Sequence, residues 1–238
     1  MSKHPHFSVV IPCKNEEKLI ARCLRAICSQ DTKNSYEVLL VDGGSTDRTI
    51  ARAKQYPVTI VKQRGTGKVN GLQTGILRAK GDIVCFTEAD CIVTHHWLSM
   101  IDHAFNTEPN TIAVAGFYTF HDGRWIEHLL LSLFWPISVY RIVYGNHTLR
   151  TSNCAVKNTV LKQYSGLDTN CAELYDLDLA LRLRSVGPIR FIPAMRIQTS
   201  SRRLKGRLLR YLGEVTYSFY RVALLRKHIH HETYEHVR

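Results

Sequence analysis

The sequence predicts an α/β fold, with a central, mostly parallel sheet flanked by helices. Three observations predict it. Short apolar runs rich in β-branched residues alternate with helical patterns over the first 120 residues. The clearest helical pattern carries one apolar stripe. Polar residues collect just beyond the apolar runs, where open α/β sheets bind their ligands.

Phe7–Pro12 (FSVVIP) is the first buried strand. Glu16–Gln30 follows as a helix, with Leu19, Ile20, Cys23, Leu24, Ile27 and Cys28 on one face and Asn15 as its N-cap. Tyr36–Asp42 (YEVLLVD) is a strand, and Asp47–Gln55 a helix capped by Ser45 or Thr46. Val58–Lys62, the helix Val69–Lys80 and the strand Asp82–Thr87 (DIVCFT) continue the alternation. This spacing calls for right-handed crossovers between parallel strands. His95 and His96 open a helix beside Trp97.

The second half is less regular. Thr111–Phe120, Thr151–Val156 and Ile189–Pro193 read as strands, and Tyr175–Ser185 as a helix. Arg124–Tyr144 contains an uncharged run of 12 residues, Leu129–Tyr140, too short to span a bilayer and broken by Pro136. Residues 203–228 form a last helical stretch. There Leu204, Leu208, Leu212, Val215 and Phe219 recur at spacings of three and four, with Arg203, Lys205, Arg207 and Arg210 mostly off that stripe. No repeat or linker interrupts the chain. One domain over residues 1–201 is expected, with 202–238 packed on it or extending it.

Composition narrows the function classes. The 238 residues are 45% hydrophobic and 22% charged, a globular mix that is neither disordered nor fibrous. Seven cysteines stand singly, with no CxxC pair, so neither a disulfide framework nor a zinc ribbon is supported. The start, MSKHPHF, lacks the apolar core of a signal peptide, and a reducing, cytoplasmic setting is expected. The net charge is +12, and residues 202–238 hold half of it, with nine Lys/Arg against three Glu. Such a patch attracts an anionic partner: nucleic acid, acidic lipid or phosphate.

Several constellations carry chemistry. Glu88 and Asp90 lie two residues apart past an apolar strand, so both carboxylates point to one side. Such a pair suits a hard divalent ion, Mg2+ or Mn2+, or else forms a solvated acidic turn. Asp42 ends a strand before Gly-Gly-Ser-Thr-Asp, either as a turn residue or as an acceptor for a nucleobase or ribose. Arg64-Gly65-Thr66-Gly67-Lys68 places two cations around two glycines ahead of a helix, which suits a phosphate. It lacks the spacing of a P-loop. Asp176 and Asp178 open a helix, where the dipole alone favours acids and where one could serve as a general base.

Taken in order, SVVIPCKNEE, VLLVDGGSTDRT, RGTGKVNGLQTGILRAKGDIVCFTEADC, GFYTF, TSNCAVKNTVLKQYSGLDT, YDLDLALRL and TSSRR resemble a family 2 glycosyltransferase with the nucleotide-sugar GT-A fold. The resemblance covers roughly residues 7 to 205. It implies that Pro12, Asn15, Glu16 and Asp42 line the base and ribose pocket, with Arg64 and Lys68 near the nucleotide. It implies Asp90 as the ligand of Mn2+ or Mg2+, with Glu88 its ribose- or metal-side companion. Asn153 would sit near the donor sugar, Asp176 would deprotonate the acceptor hydroxyl, and Arg202 and Arg203 would face phosphates. Two positions depart from the family pattern. Glu88-Ala89-Asp90 replaces Asp-x-Asp, and Tyr175-Asp176 replaces Glu-Asp, with Glu173 nearby.

The expected activity is metal-dependent, inverting transfer from a UDP- or GDP-linked sugar to a glycan hydroxyl, on an acceptor joined to a lipid. A variant would use a polyprenyl phosphate as acceptor. The expected location is the cytoplasmic membrane surface, docked through Leu129–Tyr140 and the basic segment. A basic nucleic-acid-binding module is the competing class, but no nucleic-acid motif or aromatic-lined strand platform supports it. A nicotinamide dehydrogenase is excluded because the first turn lacks its glycines.

Overall fold

The structure, a computed structural model, describes residues 4–122, 149–170 and 175–203. The readings of Arg124–Tyr144, of the stripe beyond Arg203 and of Glu173 lie outside the described residues. Contacts divide the chain into two units, Met1–Ser200 and Ser201–Arg238.

The first unit is built on one eight-stranded sheet. Its strands are β1 (Phe7–Cys13), β2 (Tyr36–Asp42), β3 (Thr59–Lys62), β4 (Ile83–Phe86), β5 (Ile92–Val93), β6 (Ala113–Phe120), β7 (Cys154–Lys157) and β8 (Ile189–Thr199). They lie in the order β3-β2-β1-β4-β7-β6-β8-β5. The first four are parallel. β7 then enters antiparallel between β4 and β6, β8 runs parallel to β6, and β5 closes the edge antiparallel to β8. The sheet is therefore mixed, with its parallel character concentrated in the first half.

The helices are α1 (Ile20–Cys28), α2 (Thr49–Ala53), α3 (Gly67–Arg78), α4 (Trp97–Thr107), α5 (Asn158–Gln163) and α6 (Tyr175–Arg184). They cover both faces of the sheet. Val9 and Ile11 of β1 pack with Ile20, Leu24 and Ile27 of α1 and with Trp97 and Ile101 of α4. Val10, on the opposite face, packs with Leu72 of α3 and Leu183 of α6. Two covered faces explain the unbroken apolar run of β1, because neither side of that strand meets water. Helix α3 lies so close to β1 that a Cβ on Gly75 would stand 2.2 Å from Val10 Cγ1.

Local chemistry moves several boundaries. Helix α1 starts at Ile20, not at Glu16 behind an Asn15 cap. Asn15 takes a left-handed backbone (φ 54°), and its Oδ1 accepts from the Thr46 amide at 2.8 Å. Neither Ser45 nor Thr46 caps α2. The N-cap position is Arg48, which offers no side-chain cap, and Asp47 just before it accepts from the Thr49 amide through Oδ1 at 2.9 Å. β8 runs past Pro193, because residues 193–195 bulge between the pairs Gly116↔Ile192 and Phe117↔Arg196 and the ladder then resumes. Among the described residues no helix is long and apolar enough to cross a membrane.

Candidate active site

The carboxyl ends of β1, β2 and β4 carry the polar loops. Two of these loops are stitched together. Asn15 donates its amide to Ser45 Oγ at 3.0 Å, Glu16 donates to Thr49 Oγ1 at 2.7 Å, and Glu17 donates to Asp47 Oδ2 at 3.1 Å. Asp42 closes its own turn, accepting from the Ser45 hydroxyl at 2.6 Å and the Ser45 amide at 3.1 Å. The turn-residue reading of Asp42 therefore holds. Pro12, Glu16 and Asp42 are half-buried along this rim, and Asn15 is exposed. Carboxylates crowd Cys13 beneath it. Burial first, then Asp42, Glu16 and Asp47, push its thiol up to about 12.

The segment after β3 brings a cation to the acidic turn that follows β4. Lys68, in the first turn of α3, places Nζ 2.7 Å from Glu88 Oε1. The same Nζ stands 5.7 Å from the centre of the Tyr175 ring. Burial works against the ammonium, but Glu88 and then Tyr175 outweigh it and hold Lys68 above the usual lysine range. Tyr175 Oη lies 3.1 Å from Thr151 Oγ1. Arg64 is exposed, and its backbone amide donates to Thr74 Oγ1 at 3.0 Å.

Asp90 is buried, with Oδ1 3.5 Å from Thr199 Oγ1 and 3.7 Å from Cys91 Sγ. Two structural braces hold this turn. Cys23 of α1 donates its thiol to the Glu88 carbonyl at 3.3 Å, and the Cys91 amide donates to the same oxygen at 3.0 Å. Among the described residues no group of three His, Cys, Asp or Glu side chains could enclose a metal ion. The donor set nonetheless fits Mg2+ or Mn2+. Such ions take oxygen ligands and are commonly held by one or two carboxylates together with substrate phosphates.

Asp176 sits half-buried in the first turn of α6. Cys154, which pairs with Phe86 at the end of β4, records its neighbourhood. Burial pushes the Cys154 thiol up, Asp176 adds to that push, and Lys68 opposes it. Asp176 and Lys68 thus act on one atom from two helices. Asp178 is different. It is buried and paired with Arg182 at 2.8 Å, and Arg182 also donates to the carbonyls of Tyr164 and Gly166.

Asn153 is 1% exposed, with each side-chain group bonded inside the fold. Its Oδ1 accepts from Trp97 Nε1 at 2.8 Å, and its Nδ2 donates to the carbonyls of Met195 at 2.7 Å and Phe117 at 2.9 Å. It ties α4 to the bulge between β6 and β8. Arg202 and Arg203 fall in a single 3-10 turn, Ser201–Arg203, of the second unit. Thr151, Tyr175, Thr199 and Cys23 are site neighbours that the sequence did not single out. Thr199 does open the TSSRR segment, and Tyr175 stands beside the candidate base.

The family model described as glycosyl transferase family 2 matches residues 8–164. Glycosyltransferase AglE of Haloferax volcanii is 37% identical over 101 residues, which cover 40% of this chain and 33% of that protein. A beta-monoglucosyldiacylglycerol synthase of Synechocystis is 35% identical over 99 residues, covering 38% of this chain and 21% of that protein. The matched part thus spans a third or less of these two curated relatives. Among solved structures, the mannosyltransferase PcManGT of Pyrobaculum calidifontis, in complex with GDP-Man and Mn2+, superposes with a TM-score of 0.66. That match has 21% identity and covers 84% of this chain and 58% of that one.

Proposed function

The chain belongs to glycosyl transferase family 2 and is a glycosyltransferase, and on that premise we propose a metal-dependent, inverting transfer from a nucleoside-diphosphate sugar to a hydroxyl of a lipid-linked glycan. The observation that carries this reading is the ion pair of Lys68 and Glu88, with Asp90 two residues beyond Glu88 and with Tyr175, the neighbour of Asp176 in the first turn of α6, presenting its ring to the same Lys68 ammonium. One end of that group can meet a diphosphate and the other can meet a hydroxyl.

The half-buried rim of Pro12, Asn15, Glu16 and Asp42 takes the base and ribose. Asp42 retains carboxylate oxygens for hydrogen bonds to a ribose while it holds its turn. Lys68, kept cationic by Glu88 and Tyr175, faces the diphosphate, with Arg64 at the outer edge of the same loop. Asp90 holds the divalent ion, which supplies positive charge to the leaving nucleoside diphosphate. Asp176 accepts the proton of the attacking hydroxyl, whose oxygen then attacks the anomeric carbon as the diphosphate leaves from the opposite face. Direct displacement of that kind inverts the centre. Asn153 contributes by fixing the frame near the donor sugar. The similarity to a beta-monoglucosyldiacylglycerol synthase of Synechocystis and to a mannosyltransferase in complex with GDP-Man and Mn2+ supports the lipid and metal parts of this reading.

A thermal-shift titration of the full chain with UDP and GDP, with and without Mn2+, tests it. One nucleotide is expected to raise the melting temperature only with the ion, and Asp90→Ala is expected to abolish that rise. A rise of equal size without the ion, or one unchanged in Asp90→Ala, overturns the metal assignment. No rise with any nucleotide diphosphate overturns the transferase mechanism.

A further inference from the structure

Helices α1 and α2 lie side by side, joined where Tyr56 Oη donates to the Ala21 carbonyl at 3.0 Å. Their inner residues are apolar and buried: Ile20, Cys23, Leu24 and Ile27 on α1, and Ala53 on α2. Their outer residues are cations. Arg22 and Arg25 lie three apart on one face of α1 with Lys18 in the turn before it, and Arg48, Arg52 and Lys54 flank or occupy α2. All six side chains are exposed. Residues 18–30 and 48–56 contain no Asp or Glu. Among the described residues, none of the six takes part in an ion pair.

A solvated helix face ordinarily mixes both signs of charge. Within α1 and α2 the charged residues are Arg22, Arg25 and Arg52 with no acid among them, and Lys18, Arg48 and Lys54 extend that positive strip at the helix ends, where Glu17 and Asp47 turn to the loop hydrogen bonds of the rim. The strip also has a fixed relation to the candidate site. Lys18 and Arg48 belong to the two loops stitched together at the rim, where the Arg48 amide donates to Glu17 Oε2 at 3.1 Å. From that rim the strip runs outward along α1 and α2. An anionic sheet of headgroups lying on it reaches the lip of the site.

We infer that the outer face of α1 and α2 is a docking surface for an anionic lipid bilayer, which keeps the candidate site, whose nucleotide rim is formed by Asn15 and Asp42, at the membrane surface where a lipid-linked acceptor lies. This rests on the lipid-acceptor reading above. The occupant is a bilayer rather than a nucleic acid because the strip offers charge with no exposed aromatic ring on which a base could stack. A dispersed array of single charges fits mobile headgroups. Attraction to such a leaflet amounts to roughly fivefold in partitioning per Lys or Arg, and fades within a Debye length of about 8 Å at physiological salt.

The test uses the full chain, so the basic segment 202–238 stays present in every arm. Arg22→Gln/Arg25→Gln/Arg52→Gln is compared with wild type by flotation on phosphatidylcholine vesicles with and without 30% (about one lipid in three) phosphatidylglycerol. Wild type is expected to float only with the anionic vesicles and to be released at about 0.5 M salt. The triple variant is expected to lose roughly a hundredfold in partitioning, at about fivefold per cation. Nucleotide-induced thermal stabilisation, measured without vesicles, is expected to be unchanged in the variant. Because it is read separately, a failed transferase reading is distinguishable from a failed docking surface. Equal flotation of variant and wild type on anionic vesicles overturns the surface assignment and leaves docking to other segments. Loss of single-stranded oligonucleotide binding in the variant, with no vesicle binding by wild type, overturns the bilayer as occupant.

Discussion

Lys68 Nζ and Glu88 Oε1 meet at 2.7 Å, joining the start of α3 to the acidic turn after β4. Their side chains are 31% and 14% exposed, so the pair is neither bathed in water nor sealed from it. Glu88→Gln leaves the ammonium with a weaker acceptor and no counter-charge. Stability is expected to fall by about 1–2 kcal/mol, less than for a fully buried pair because solvent screens part of the charge. Calorimetry should show a melting temperature lower by several degrees. An unchanged melting temperature would show that the pair adds nothing to the fold.

The buried thiols make stability sensitive to alkali. Burial and neighbouring carboxylates push Cys13 and Cys91 up to about 12, and burial raises Cys23, Cys85 and Cys154 as well. Each folded thiol thus keeps its proton where the unfolded thiol, titrating near 9.0, has lost it. That contribution is complete below pH 9 and is lost as pH rises toward the folded values, at up to about 1.4 kcal/mol per pH unit for each thiol. Melting temperatures are expected to hold from pH 7 to about 8.5 and then to drop steeply. A flat profile to about pH 10.5 would contradict the assignment.

The first half of the fold was legible because both sheet faces are covered there. Buried strands such as β1 and β4 then announce themselves as apolar runs. The second half hid its elements for local reasons. β5 is two residues long and has no pattern to read, and β8 is interrupted by a bulge beside Pro193. α5 follows β7 without an intervening turn, so no punctuation marks its start. At the site, charged residues at strand ends were visible in the sequence. Their partners were not. Tyr175 meets Lys68, and Cys23 meets the Glu88 carbonyl, across 107 and 65 positions of chain that only folding closes.

Asn153 offers a prediction with an internal control. Its amide holds Trp97, Phe117 and Met195 in a buried setting. Asn153→Ala leaves an indole N–H and two carbonyls unsatisfied, at a cost of about 3 kcal/mol. Trp97→Phe removes that donor too. In the double variant the loss is expected to be smaller than the sum of the single losses by about 1 kcal/mol. Strict additivity in urea melts would mean that the hydrogen bond carries no coupling.

Gly75 tests the close approach of α3 to β1. A Cβ there would meet Val10 Cγ1 at 2.2 Å, so Gly75→Ala cannot exploit the better helix propensity of alanine. Overpacking is expected to cost about 1–3 kcal/mol. Val10→Ala in the same chain opens the space, and the second substitution is then expected to cost less. If Gly75→Ala raises the melting temperature of the wild type, the helix has room that the packing denies.

Asp176 and Asp178 share one helical turn, yet their surroundings predict opposite phenotypes. Asp178 is buried against Arg182, and that guanidinium also holds the carbonyls of Tyr164 and Gly166. Asp178→Asn removes the counter-charge of a largely buried cation and is expected to lower stability by about 2 kcal/mol, with the turnover of the folded fraction little changed. Asp176 is half-buried, and its effect on the Cys154 thiol is opposite in sign to that of Lys68. Asp176→Asn preserves shape and removes the proton acceptor. Its melting temperature and its nucleotide-induced shift are expected to match wild type, while turnover with a hydroxyl acceptor falls roughly a hundredfold or more. The pair of variants separates chemistry from folding, because a general loss of structure would reduce turnover in both. Wild-type turnover in Asp176→Asn with a hydroxyl acceptor would remove Asp176 as the base. It would favour an acceptor phosphate, which attacks without giving up a proton.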